Sequence, residues 1–143
     1  MTTLKNSNRL NVYKKIEKSI NMVKNPYEIV KILLDDLSRI MHLLILEIDK
    51  KNAFLISKQR QNLKHTQKSI SKYVTRSLTT IYSLQNSLDF EKGGSISINL
   101  FQLYEFCRCQ IIKSFTENDN KKLKKAYDAL NIIITAWQEI KLK

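Results

Sequence analysis

The chain is poor in the residues that make turns: two Gly and one Pro in 143 residues, with only two Cys. An average composition of this length would supply roughly ten Gly and seven Pro. β-Sandwiches and barrels need such residues at their many tight turns, so the shortage excludes them and leaves long helices with few connections. Cys107 and Cys109 lie two positions apart. On a helix they point about 200° away from each other, which is poor geometry for a mutual disulfide, so they are expected to be reduced thiols.

Long apolar runs are also missing. The densest stretch, residues 40–48, is interrupted by His42 and Glu47 and falls well short of the roughly 18 residues a membrane span requires. The first ten residues hold neither an apolar signal core nor a lipidation motif. The expectation is a soluble cytoplasmic (cytosolic) protein with no membrane insertion and a single domain large enough for a real core. Reactive constellations are absent as well. His42 and His65 have no Cys, Glu or His at ligand spacing, and there is no HExxH, CxxC or GxSxG. Asp35 and Asp36 occupy consecutive positions facing different ways, and Gly93-Gly94 lacks the Lys-Ser/Thr of a phosphate loop. No enzyme activity, metal or cofactor is expected.

Positive charge is abundant: 25 Lys plus Arg against 13 Asp plus Glu give a net +12. It is uneven, since residues 50–86 contain no acid at all. Within them Arg60, Lys64, Lys68, Lys72 and Arg76 recur every four residues, which lays one basic stripe along a helix. Such a stripe could hold phosphates or carboxylates, but a solvated face in a lysine-rich chain looks the same. The bases are mostly Lys, and no helix-turn-helix, Arg-rich arm, zinc pattern or aromatic RNA motif accompanies them, so nucleic acid is not an expected partner. A basic helical-bundle module binding nucleic acid or an acidic protein partner stands as the alternative function.

Residues 1–24 are polar and basic, with apolar positions at Leu10, Val12, Tyr13, Ile16, Ile20 and Val23 that suit a short amphipathic helix when docked. Asn25, Pro26 and Glu28 then form a helix start of cap, first-turn proline and capping-box glutamate. Ile29, Leu33, Leu37, Ile40, Leu44 and Ile48 follow at spacings of three and four, widened by Val30, Leu34, Met41 and Ile45, and predict a helix from 26 to about 50. A turn is expected between 50 and 66. A second stripe carries Ile70, Val74, Ile81, Leu84 and Leu88, with Leu63 one heptad upstream. Gly93-Gly94 is expected to end that helix or start the next. Ile96, Leu100, Leu103, Cys107 and Ile111 form the third stripe, and Leu123, Ala126, Leu130, Ile133, Trp137 and Ile140 the fourth, across a turn at residues 117–120. Short connections make neighbours antiparallel. The predicted fold is all-α, an antiparallel up-down four-helix bundle over residues 25–143 with a short N-terminal amphipathic segment at 1–24.

The stretch Leu88-Asp89-Phe90-Glu91-Lys92-Gly93-Gly94, with Ile96, Asn99-Leu100 and Leu103-Tyr104-Glu105-Phe106 behind it, resembles the flagellar secretion chaperone family FliS. That family typically reads Leu-Asp, Glu-Lys-Gly-Gly, Ile, Asn-Leu, then Leu-Tyr and a second aromatic. Asn25-Pro26-Tyr27-Glu28-Ile29-Val30 resembles its entry to the first long helix, Ala136-Trp137 its Ala-Trp near the end of the last, and Tyr13 is similarly placed to an N-terminal Tyr. The chain departs from the pattern at Cys107-Arg108-Cys109-Gln110, where the family usually has Met-Ile-Arg-Arg, and at Leu34, Ser95 and Phe106, where it has an aromatic, Glu and Tyr.

The resemblance implies an all-helical cytosolic export chaperone. Such a protein binds the C-terminal segment of flagellin, prevents premature polymerisation and assists delivery to the flagellar export apparatus. Monomer and homodimer both stay open for the free protein. A partner helix needs apolar anchors. Tyr104 and Phe106 are two apart, so both cannot face the core and one should lie near the surface. Asn99, one turn before Leu103, could bond partner backbone or a neighbouring helix. With Leu33, Ile81, Leu84, Leu100 and Tyr13 these make the expected partner-binding set. Tyr13 is expected to belong to a lead-in that folds over the apolar groove and is displaced by flagellin.

Overall fold

A computed structural model describes residues 10–12 and 26–142, and side chains as far as residue 139. Four long helices dominate: α1 Pro26–Ser57, α2 Arg60–Asn86, α3 Phe90–Glu117 and α4 Lys121–Leu142. Each packs on two neighbours, α1 on α2 and α4, α3 on α2 and α4. The α1–α4 pairs run in opposite chain order: Ser38 Oγ donates to Asn131 Oδ1 at 2.8 Å, and Asn120 Nδ2 donates to the Ile45 carbonyl at 3.2 Å. Together with the short connections this is the antiparallel up-down four-helix bundle that the periodicity predicts. The lead-in residues 13–25, including Tyr13 and the Asn25 cap, lie outside the described residues.

α1 buries Leu34, Leu37, Ile40, Met41, Leu44, Ile45 and Ile48. Both halves of the wide stripe are therefore used, because this helix serves two neighbours. Ile70, Ile81 and Leu84 come in from α2, Tyr104, Cys107 and Ile111 from α3, and Leu123, Ala126, Leu130 and Ile134 from α4. Each fully buried Leu or Ile contributes about 1.5–3 kcal/mol. Burial pushes the Cys107 thiol up to about 12, and both cysteines are free thiols.

Two helix ends differ from the periodicity. α1 runs to Ser57, past the expected end near 50. The polar stretch at 49–52 lies within α1 and seats the α3–α4 connection: Lys51 Nζ donates to Asn118 Oδ1 at 2.7 Å, Asn52 Nδ2 to the Asn118 carbonyl at 3.1 Å, and Asn120 Nδ2 to Asp49 Oδ1 at 2.7 Å. The turn falls at Lys58-Gln59, inside the expected 50–66, and Lys58 takes a left-handed φ of 55° there without a glycine. α2 stops at Asn86, two residues short of Leu88, while Gly93-Gly94 lies at the start of the next helix, one of its two expected places, inside the first turns of α3. On α4 Ile134, not Ile133, takes the buried position.

Candidate partner-binding groove

One end of the bundle is assembled from the start of α1, the α2–α3 connection, the first turns of α3 and the last turns of α4. Tyr27 and Trp137 tie α1 to α4 there. Their rings stack with centroids 5.1 Å apart and planes 7° apart. Trp137 Nε1 donates to the Tyr27 carbonyl at 3.3 Å, and the Tyr27 hydroxyl donates to the Trp137 carbonyl. Pro26 starts α1 beside this pair because its fixed φ and missing N–H suit a first helical position.

Asp89 starts α3. Its Oδ1 accepts the Glu91 N–H at 3.1 Å and the Lys92 N–H at 3.0 Å, which satisfies two of the helix's open donors. Its carbonyl accepts the Gly93 N–H at 2.8 Å and the Ser97 hydroxyl at 2.9 Å. The two glycines do different work. A Cβ on Gly93 would stand 1.8 Å from Ser97 Oγ, so this position keeps the Ser97 bond possible. Gly94 bends α3 with φ 51° and ψ −123°, a conformation closed to other residues without strain. Beyond the bend Ser97 faces inward and Ile96 is 68% exposed, which corrects the expectation that Ile96 opens the buried stripe.

These elements enclose a groove of about 300 Å³ lined by the apolar side chains Val30, Leu88, Ile96, Leu100, Tyr104 and Trp137, with Asp89 and Lys92 as its charged members. Tyr104 is 1% exposed, and its hydroxyl has no hydrogen-bond partner among the described residues. Burial, helped by neighbouring Cys107, pushes that hydroxyl up to about 12, so it stays a donor across the physiological range. Ile96, Asn99, Leu103 and Phe106 then recur at spacings of three and four, forming one stripe that leads from the groove along α3. It extends about 15 Å at 1.5 Å per residue. Phe106 is 41% exposed, so of the Tyr104/Phe106 pair Tyr104 faces the core and Phe106 the surface. On α4, Ala126, whose carbonyl lies 3.8 Å from Cys107 Sγ, begins a stripe with Ala129, Ile133 and Ala136. Its three alanines stand low.

The expected site residues thus separate. Leu100 and Tyr104 line the groove, while Asn99, Leu103 and Phe106 share the stripe that leaves it. Ile81 and Leu84 are wholly enclosed in the core, and Leu33 is half-buried against it. An occupant of the described surface does not reach Ile81 or Leu84, because their inward spacing on α2 is the same spacing that holds the bundle together. Val30, Leu88 and Trp137 are groove residues that the expected set lacks. The Leu-Asp and Ala-Trp motifs did mark Leu88 and Trp137, but nothing local says that the end of α4 meets the start of α1.

Elsewhere on α3, Glu105 is held by Arg108, with N–O distances of 2.8, 3.1 and 3.3 Å, and by Gln85 Nε2 at 2.8 Å. The Arg108 hydrogen bond and then the Gln85 one keep the Glu105 carboxyl below the usual carboxylate range. This pins α2 to α3. Among the described residues no group of three or more His, Cys, Asp or Glu could hold a metal ion. Nor is any helix there long and apolar enough to cross a membrane.

Fold and site together define an antiparallel helical bundle that presents an apolar groove and stripe. Residues 8–143 match the sequence family described as flagellar protein FliS, and the chain belongs to that family. Over 65 residues it is 37% identical to the flagellar secretion chaperone FliS of Vibrio cholerae serotype O1, a match covering 46% of this chain and 48% of that protein. Over 60 residues it is 33% identical to the flagellar secretion chaperone FliS of Salmonella typhimurium, covering 42% and 44%. The chain spans about half the length of the curated relatives it matches.

Proposed function

We propose that this chain is a cytosolic export chaperone that binds the C-terminal region of flagellin, prevents its premature polymerisation and assists its delivery to the flagellar export apparatus. Family membership supports the secretion-chaperone role. The observation that carries the binding claim is the apolar groove with exposed Ile96, half-buried Leu103 and exposed Phe106 leading out of it, spaced for a partner helix. Residues 25–143 form the chaperone domain in this reading, and residues 1–24, with Tyr13, cover the groove until flagellin displaces them.

Ordering a disordered tail costs roughly 2–5 kcal/mol, so several anchors of about 1–3 kcal/mol each are required. The stripe residues and the groove supply that number, and the Tyr104 hydroxyl offers a donor to an occupant's carbonyl. Co-purification with a flagellin C-terminal peptide at micromolar concentration tests the proposal. A one-to-one complex that survives moderate salt is expected, because apolar contacts carry it. No complex, or one lost steeply with salt, contradicts it and favours a charge-driven partner.

A further inference from the structure

The outer face of α2 carries four cations, Arg60, Lys64, Lys68 and Lys72, all exposed and spaced i, i+4. None has an ion-pair partner among the described residues. The next rung, Arg76, does: its Nη2 lies 2.9 Å from Oδ1 of Asp36 on α1. Like charges at this spacing oppose helix formation. Arg60 also stands at the positive end of the α2 dipole, where the first turn holds no acid and the Gln59 side chain accepts from Asn62 Nδ2 rather than from the helix's open N–H groups. The free helix therefore keeps an arrangement that bound carboxylates would relieve, as Asp36 already does at Arg76.

We infer that this ladder is a second docking surface, separate from the apolar groove, for an acidic protein segment in extended conformation with carboxylates at alternate positions. The spacing fits. Successive rungs advance about 6 Å along the helix axis, and side chains two residues apart in an extended chain are about 6.6 Å apart. A row of i, i+4 residues runs obliquely around the helix, so a flexible chain follows it while a flat bilayer meets only part of it. A nucleic acid strand suits it less, since no Phe, Tyr or Trp stands between Arg60 and Lys72 to stack a base and most rungs are Lys. Beside the ladder is a hollow of about 410 Å³ where Gln61, His65 and Gln67 add polar groups to Lys64 and Lys68. The groove lies at the opposite end of α2, so the two surfaces can be occupied independently.

The test is fluorescence anisotropy of a labelled 12-residue peptide alternating Glu and Ser, titrated with the full chain at low and moderate salt. Saturable binding that weakens with salt is expected. The variant Lys64→Glu/Lys68→Glu/Lys72→Glu should bind at least about tenfold more weakly with its helix circular dichroism unchanged, and Lys64→Gln/Lys68→Gln/Lys72→Gln should fall between. No saturable binding at low salt, undiminished binding by the charge-reversed variant, or tighter binding of a 12-nucleotide single strand or of phosphatidylglycerol vesicles than of the peptide overturns the inference.

Discussion

Tyr27 and Trp137, 110 positions apart, hold each other's backbone: the indole N–H bonds the Tyr27 carbonyl at 3.3 Å while the phenol bonds the Trp137 carbonyl. The stacked rings, with centroids 5.1 Å apart, close the bundle at the end where the groove opens. Trp137→Ala removes the stack, one hydrogen bond and a groove wall, and should lower unfolding free energy by about 2–4 kcal/mol in urea denaturation. Trp137→Phe keeps a ring on Tyr27 and should lose less than half as much.

Gly94 is the second point on which the groove depends. Its φ of 51° with ψ −123° turns Ile96 outward and Ser97 inward. Gly94→Ala should cost about 1–3 kcal/mol in denaturant titration. It should also weaken flagellin-peptide binding beyond what that loss of folded fraction explains, because the bend positions Ile96.

Much of this architecture is legible in the sequence. The wide α1 stripe, the buried α3 positions Cys107 and Ile111, and the cap-rich stretch 117–120 all follow from residue type and spacing. What escaped has a physical reason in each case. The end of α1 is expected near 50 and lies at Ser57 because a polar patch within a helix and a helix end have the same composition; that Asp49 to Asn52 seat Asn118 and Asn120 is a tertiary fact. Ile96 and Ser97 exchange roles because one glycine dihedral shifts the helical phase. Leu100 and Tyr104 were marked by the motif, whereas Val30 and Trp137 become neighbours only when the bundle closes.

Alkaline pH should destabilise the fold. Burial raises Cys107 from 9.0 to about 12 and Tyr104 from 10.0 to about 12. Above pH 9 the unfolded chain releases protons that the folded chain retains, so the native state binds more protons and stability falls as pH rises toward 12. By pH 11 the loss should be on the order of 2–4 kcal/mol, read from urea midpoints. Cys107→Ala should flatten the slope between pH 9 and 10, where Tyr104 contributes little.

If residues 1–24 cover the groove in the free protein, deleting residues 1–20 should tighten flagellin-peptide binding or increase binding of a hydrophobic dye. Unchanged affinity together with unchanged dye fluorescence would remove that part of the account.

Calorimetric titration of a flagellin C-terminal peptide into the wild type and into Ile96→Asp/Phe106→Asp tests the central claim most directly. Both side chains are exposed, at 68% and 41%, so the variant should melt like the wild type. The account predicts one peptide per chain for the wild type and at least about a hundredfold weaker binding for the variant, from two lost anchors. Equal affinity for the two proteins, or no heat of binding to either, would contradict it.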